Sequence, residues 1–117
     1  MNAVKDLLKS GQTVIGTGGP PDPTLAGILA DSGFDFLLFD TQHSPIEIHQ
    51  LIPAIQATNG KKAAPIVRVS DNRPDLICFA LDAGARGIIV PMVNTREEAE
   101  AMVRSCRYSP LGDRSTS

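Results

Sequence analysis

Four short apolar runs, each followed by residues at helical spacing, limit what this chain can fold into more than any other feature. The runs are Thr13 to Thr17, Phe36 to Asp40, Pro65 to Val69 and Gly87 to Val93, and their starts lie 23, 29 and 22 residues apart. Such an interval holds a strand, a crossover helix and two loops, the unit required when a strand pairs parallel to its predecessor. The runs are apolar nearly throughout instead of alternating, which predicts a parallel sheet buried under helices. The fold class is therefore α/β.

Helix signals fill the gaps between the runs. Asp22-Pro23 reads as a cap and first helical position, with Leu25, Ile28 and Leu29 on one face and a stop near Gly33. Ser44-Pro45-Ile46-Glu47 reads as a capping box with proline at the first helical position, opening a helix that buries Ile48, Leu51, Ile52 and Ile55 and that Pro53 should kink. Asn72 is expected to cap a third helix ending at Gly84, and Thr95 with Glu98 forms a capping box over Ala99, Met102, Val103 and Cys106.

Two architectures meet these requirements. A doubly wound open sheet can close within 117 residues, whereas a (β/α)8 barrel needs about 250. The last segment, Arg107 to Ser117, reads as a loop leading onward, so the pattern is that of an interrupted fold.

Composition narrows the partners. The chain is one domain by length, 42% of its residues are hydrophobic, and its net charge of −2 comes without a basic stripe. That argues against nucleic acid or an anionic membrane as partner and for a small molecule. Cys78 and Cys106 fall in expected helices without a C-x-x-C pair, which suits buried reduced thiols in a reducing compartment. No run approaches the ~18 apolar residues of a membrane span, and Met1 to Ser10 is amphipathic, without a signal peptide's apolar region. The expectation is a soluble, cytoplasmic protein.

Two positions carry chemistry on physical grounds. The run Phe36-Leu37-Leu38-Phe39 ends abruptly in Asp40 and, three residues later, His43, in a strand-to-helix loop of the kind that holds catalytic groups in α/β folds. The competing role for His43 is local capping. Arg68 sits inside the run Pro65 to Val69, where a permanent cation is costly to bury unless an anion meets it: a substrate, or a structural partner such as Asp71 or Asp40. Other polar features read as bland. His49 falls on a solvated helix face. The run Gly16 to Pro23 lacks the spacing and the lysine of a phosphate cradle, and its prolines remove backbone donors. It is expected to be a rigid loop. Arg107 and Arg114 flank a Tyr-Ser-Pro-Leu-Gly segment and are equally suited to solvent or to a substrate carboxylate or neighbouring subunit.

Asp40 to Pro45, Pro65 to Val69, Leu81 to Val93 and Arg107 to Arg114 together resemble, in order and spacing, the landmarks of the HpcH/HpaI aldolase family. The resemblance covers nearly the whole chain but only the first half of the family's barrel. It implies a partial TIM (β/α)8-type barrel of about four βα units, with residues 1–117 as the N-terminal part of an aldolase-type domain. It also implies a carbon–carbon lyase that cleaves a 4-hydroxy-2-oxo acid to pyruvate and an aldehyde, in a homo-oligomer, with a divalent cation (Mg, Mn or Co) whose ligands lie beyond Ser117. In that scheme His43 moves protons, Arg68 binds the pyruvate oxygens and Asp82 raises the basicity of the histidine. Gln42 departs from the family, which usually has glutamate there, and so removes a charge beside the base. Asp82 falls near the end of the third helix, away from the catalytic end, so it would meet His43 only through an irregular helix end or across subunits; otherwise it is a structural acid. Two alternatives stand beside the enzyme: a truncated, non-catalytic half-barrel that self-associates, and an open-sheet binding module.

Overall fold

A computed structural model describes residues 2–116. Its single sheet has four parallel strands, β1 Gly16–Gly18, β2 Phe36–Asp40, β3 Ala64–Arg68 and β4 Gly87–Ile89, arranged in the order β1-β2-β3-β4. The helices are α1 Ala3–Lys9, α2 Pro23–Ala30, α3 Ile48–Gln56, α4 Pro74–Asp82 and α5 Arg96–Cys106. Each crossover moves one strand in the same direction, so the sheet winds as a barrel wall does and has no reversal of the kind that defines a doubly wound sheet.

The two faces of the sheet differ, and the difference follows from the period of two along each strand. Leu37, Phe39 and Val67 are buried on the outer face, against Ala26, Ala30, Leu51, Ile55, Ile77 and Ala80 of the covering helices. Burying each large member of this set contributes about 1.5–3 kcal/mol. The alternate residues Phe36, Leu38, Asp40, Ala64, Ile66 and Arg68 lie on the concave face and are only half-buried. Gly16 occupies that face of β1 because a Cβ there would run into the Phe36 ring, and Gly19 is kept small by the Phe39 ring. Helix α1 lies across the starts of β3 and β4, where Asn2 Nδ2 donates to the Arg86 carbonyl at 2.8 Å.

Local signals explain most boundaries. Asp22 accepts from Thr24 N at 2.8 Å with Pro23 following, and Thr95 accepts from Glu98 N at 3.1 Å. After α4, Gly84 takes φ +112, a left-handed turn that a side chain would strain. Several expectations need correcting. β1 is Gly16–Gly18 where Thr13 to Thr17 was expected, and β4 ends at Ile89 well short of Val93. Helix α3 does not begin at Pro45: Glu47 is its cap and Gln50 completes the box, with Gln50 Oε1 accepting from Glu47 N at 2.8 Å, while Ser44 only turns the loop by accepting from Ile46 N. A second box three residues downstream outcompetes the first because it lets Ser44 and Pro45 stay in the loop that Asp40 organises. Arg73, not Asn72, occupies the cap position of α4, with Pro74 at its start. Asn72 instead donates from Nδ2 to the Glu98 carbonyl at 2.9 Å, tying the loop after β3 to α5.

Candidate active site

The parallel register places Asp40 opposite Arg68, at the carboxyl ends of β2 and β3 and on the concave face. Arg68 donates from Nε to Asp40 Oδ1 at 2.9 Å and from Nη2 to Oδ2 at 2.6 Å, the fork geometry that a guanidinium makes best with a carboxylate. The anion that meets the buried-strand arginine is thus Asp40 and not Asp71, which instead accepts from Asn72 N. Two of the five guanidinium donors are used. The Nη1 edge engages no group among the described residues.

Asp40 also shapes the loop that follows it. Its Oδ1 accepts from the backbone N–H of Gln42 at 2.9 Å and of His43 at 3.4 Å, an aspartate-led turn that reverses the chain out of the strand. Thr41 adds a second clamp, donating from both N and Oγ1 to the Arg68 carbonyl at 3.0 and 2.8 Å. The Arg68 guanidinium beside Asp40 holds its carboxyl far below the usual carboxylate range; partial burial opposes this, and the two backbone N–H bonds reinforce it. The same pairing raises Arg68 above its ordinary value. His43 is exposed, and its ring makes no hydrogen bond or ion pair among the described residues. One carboxylate therefore fixes both the side chain of the cation and the main chain of the imidazole, and leaves both reactive edges open.

Asp82 is not part of this cluster. It is the last residue of α4, nine residues of helix away from the site end, or roughly 13 Å of rise. There Arg114 Nη2 donates to its Oδ1 at 2.9 Å and the Cys78 thiol to its Oδ2 at 3.5 Å. Arg114 lowers the carboxyl's pKa, against partial desolvation and with help from the thiol. Of the remaining candidates, His49 is exposed on α3 and 3.4 Å from Glu47, and Arg107 is exposed. Within the Gly16 to Pro23 run, Gly16 and Gly19 sit against the Phe36 and Phe39 rings.

The sequence and the fold of the chain both match known proteins. The sequence profile described as HpcH/HpaI aldolase/citrate lyase matches residues 20–117. The chain belongs to this family. A pyruvate aldolase from Rhizobium etli is 41% identical over 118 residues, which is 100% of this chain and 46% of the relative. An HpcH/HpaI aldolase/citrate lyase family protein from Burkholderia cenocepacia superposes with TM-score 0.89 at 30% identity, covering 100% of this chain and 49% of that structure. Citrate synthase SbnG superposes with TM-score 0.87 at 40% identity, over 99% of this chain and 48% of that one. The chain thus spans about half the length of the HpcH/HpaI relatives it matches, and its four-stranded wall is a part of their TIM-like barrel.

Metal holding is a separate question. Among the described residues no group of three or more His, Cys, Asp or Glu side chains is placed to bind an ion, and Asp40 is already saturated by donors. The described residues alone do not make a metal site. No helix among them is long and apolar enough to cross a membrane.

Asp40 stood among the candidate partners of Arg68 in the sequence, since an acid ending one apolar strand and an arginine ending the next is a readable register signal. One feature of the mouth had no such signal. Met92 takes φ +59 just past β4, a conformation uncommon for non-glycine residues, and no local sequence signal announces it.

Proposed function

We propose that this chain supplies the proton-transfer and enolate-binding half of an aldolase site acting on a 4-hydroxy-2-oxo acid. His43, as base, takes the proton of the C4 hydroxyl; the C3–C4 bond breaks to release an aldehyde; and the pyruvate enolate left behind is protonated at C3. Arg68 turns its Nη1 edge to the pyruvate oxygens, where fixed charge and paired donors favour the enolate over the ground state. The observation that carries this reading is that Asp40 holds the Arg68 guanidinium and the His43 backbone at once, leaving the imidazole and Nη1 open at one barrel mouth. Asp82 takes its part as tuner of a histidine only from a neighbouring subunit, since its own His43 lies at the other end of the wall. The divalent cation of the family belongs, in this proposal, with the portion of the barrel that the chain does not span, and the working protein is a homo-oligomer in the cytoplasm.

The test uses the barrel completed by its own downstream sequence or by a complementary half from a relative. Pyruvate release should require divalent metal there. His43→Ala should lower turnover by a factor on the order of 10²–10⁴ while keeping near-normal inhibition by oxalate, an enolate mimic. Arg68→Lys should weaken oxalate, because an ammonium cannot reproduce the planar fork. The reverse pattern overturns both roles. A second reading, a half-barrel that acts by self-association, is favoured by the half-buried concave face and by the single neighbours of β1 and β4.

A further inference from the structure

Arg114 is an unusual side chain for a segment otherwise open to solvent. Ser109, Pro110, Leu111, Asp113 and Ser115 are exposed, yet the Arg114 side chain is only 15% accessible. Its guanidinium lies 4.6 Å above the Tyr108 ring, its Nη2 reaches Asp82 across 32 residues, and its Nε is buried without an acceptor among the described residues. An unmet buried donor costs about 1–3 kcal/mol, so a loop needing only an anchor would do better with an apolar residue. The backbone is set to deliver this one side chain. Arg114 N donates to the Arg107 carbonyl at 2.9 Å, and Asp113 N to the Arg104 carbonyl at 2.8 Å. Gly112 passes so close to those two carbonyls that no Cβ fits.

Asp82 faces the other way as well. It lines a groove of about 790 Å³ between α3 and α4 whose walls include Ile48, Ile52, Leu76 and Phe79. Its Oδ2 receives only the long Cys78 contact, so the carboxylate keeps accepting capacity. We propose that Arg114 is a positioning residue that fixes the Asp82 carboxylate at the end of the α3–α4 groove, ready to accept a donor from a second copy of this chain. The inference rests on the reading of Asp82 as an acid acting across subunits. The other charged groups that line the same groove are Glu47, His49 and Arg73, and Asp75, Arg104 and Asp113 line a neighbouring cleft on the α5 side together with Arg114. Of these sides, only Arg114 and Cys78 touch the carboxylate.

Carboxyl carbon NMR titration of Asp82 in the full chain tests the proposal directly. In the native protein Asp82 should titrate below the ordinary aspartate value of about 3.9. Arg114→Gln should raise its midpoint by about one pH unit or more, the usual effect of losing an adjacent opposite charge. Arg114→Lys should keep it low. An Asp82 midpoint indifferent to Arg114→Gln overturns the proposal; if that variant fails to fold, a folded Arg114→Lys with an ordinary Asp82 does so. The catalytic reading fails separately. Should Asp82 respond to Arg114 while Asp82→Asn leaves the pH profile of pyruvate release in the completed enzyme unmoved, the clamp stands and the part of Asp82 in the chemistry falls.

Discussion

At the carboxyl ends of β2 and β3, Asp40 takes two guanidinium bonds and two backbone N–H bonds; at the end of α4, Asp82 takes one guanidinium bond and a long thiol contact. Both are aspartate–arginine pairs, but they differ in what they leave accessible to a partner. The mouth pair exhausts the acid and keeps spare donors on the cation, so it offers positive charge to an anion. The rim pair surrounds the cation with a ring and a buried wall and keeps spare acceptors on the anion. A salt bridge is therefore a poor unit of description here: what matters is which partner is left incomplete.

Removing the saturated acid should do the most damage to stability. Asp40→Ala leaves the Arg68 cation and two loop N–H groups without their acceptor and is expected to destabilise by about 2 kcal/mol, read as a lower urea midpoint at unchanged slope. Asp82→Ala should move that midpoint less, and the opposite ranking would break the comparison. The acid limb sharpens it. Because the folded pKa of Asp40 is depressed, its contribution is fully present above the unfolded value of about 3.9 and is lost as pH falls below it. Asp40→Asn should thus lower stability at pH 7 and flatten the fall below pH 4, more than Asp82→Asn does. The smallest expected effect is at the rim ring: Tyr108→Leu should lose on the order of 0.5–1 kcal/mol of cation–π contact, detectable as a small drop in melting temperature. A larger loss would mean that the ring, not the acid, holds Arg114.

Much of this could be read from residue order because βα units write their own punctuation. β2 is bounded by its apolar run, α2 by Asp22-Pro23 and α5 by Thr95 with Glu98, and all three stand where local chemistry puts them. Where two signals competed, local reading chose the wrong one, as at Ser44 against Glu47 for the start of α3. Local signals left barrel and open-sheet winding undecided; the family resemblance pointed to the barrel, and strand order, a tertiary fact, bears it out. His43 and Arg68 were legible because each violates its surroundings, an imidazole after an apolar strand and a cation inside one. Register settled the partner of Arg68, choosing Asp40 over Asp71 of the two that the sequence offered. Asp82 matched a landmark by type and spacing, yet its surroundings depend on Arg114, 32 residues later, and nothing local links the two.

The bond from Asn2 to the Arg86 carbonyl has a bearing on how the chain reaches this state. Neighbouring strands meet at modest offsets: Gly16 pairs with Phe36, and Phe36 with Ala64. Closing loops of such length is cheap in entropy, and each added unit finds its template already in place. The Asn2 bond, spanning 84 residues, can form only when the start of β4 arrives. On a ribosome, that bond would therefore form after the first three strands have assembled, and would mark the moment the fourth is seated.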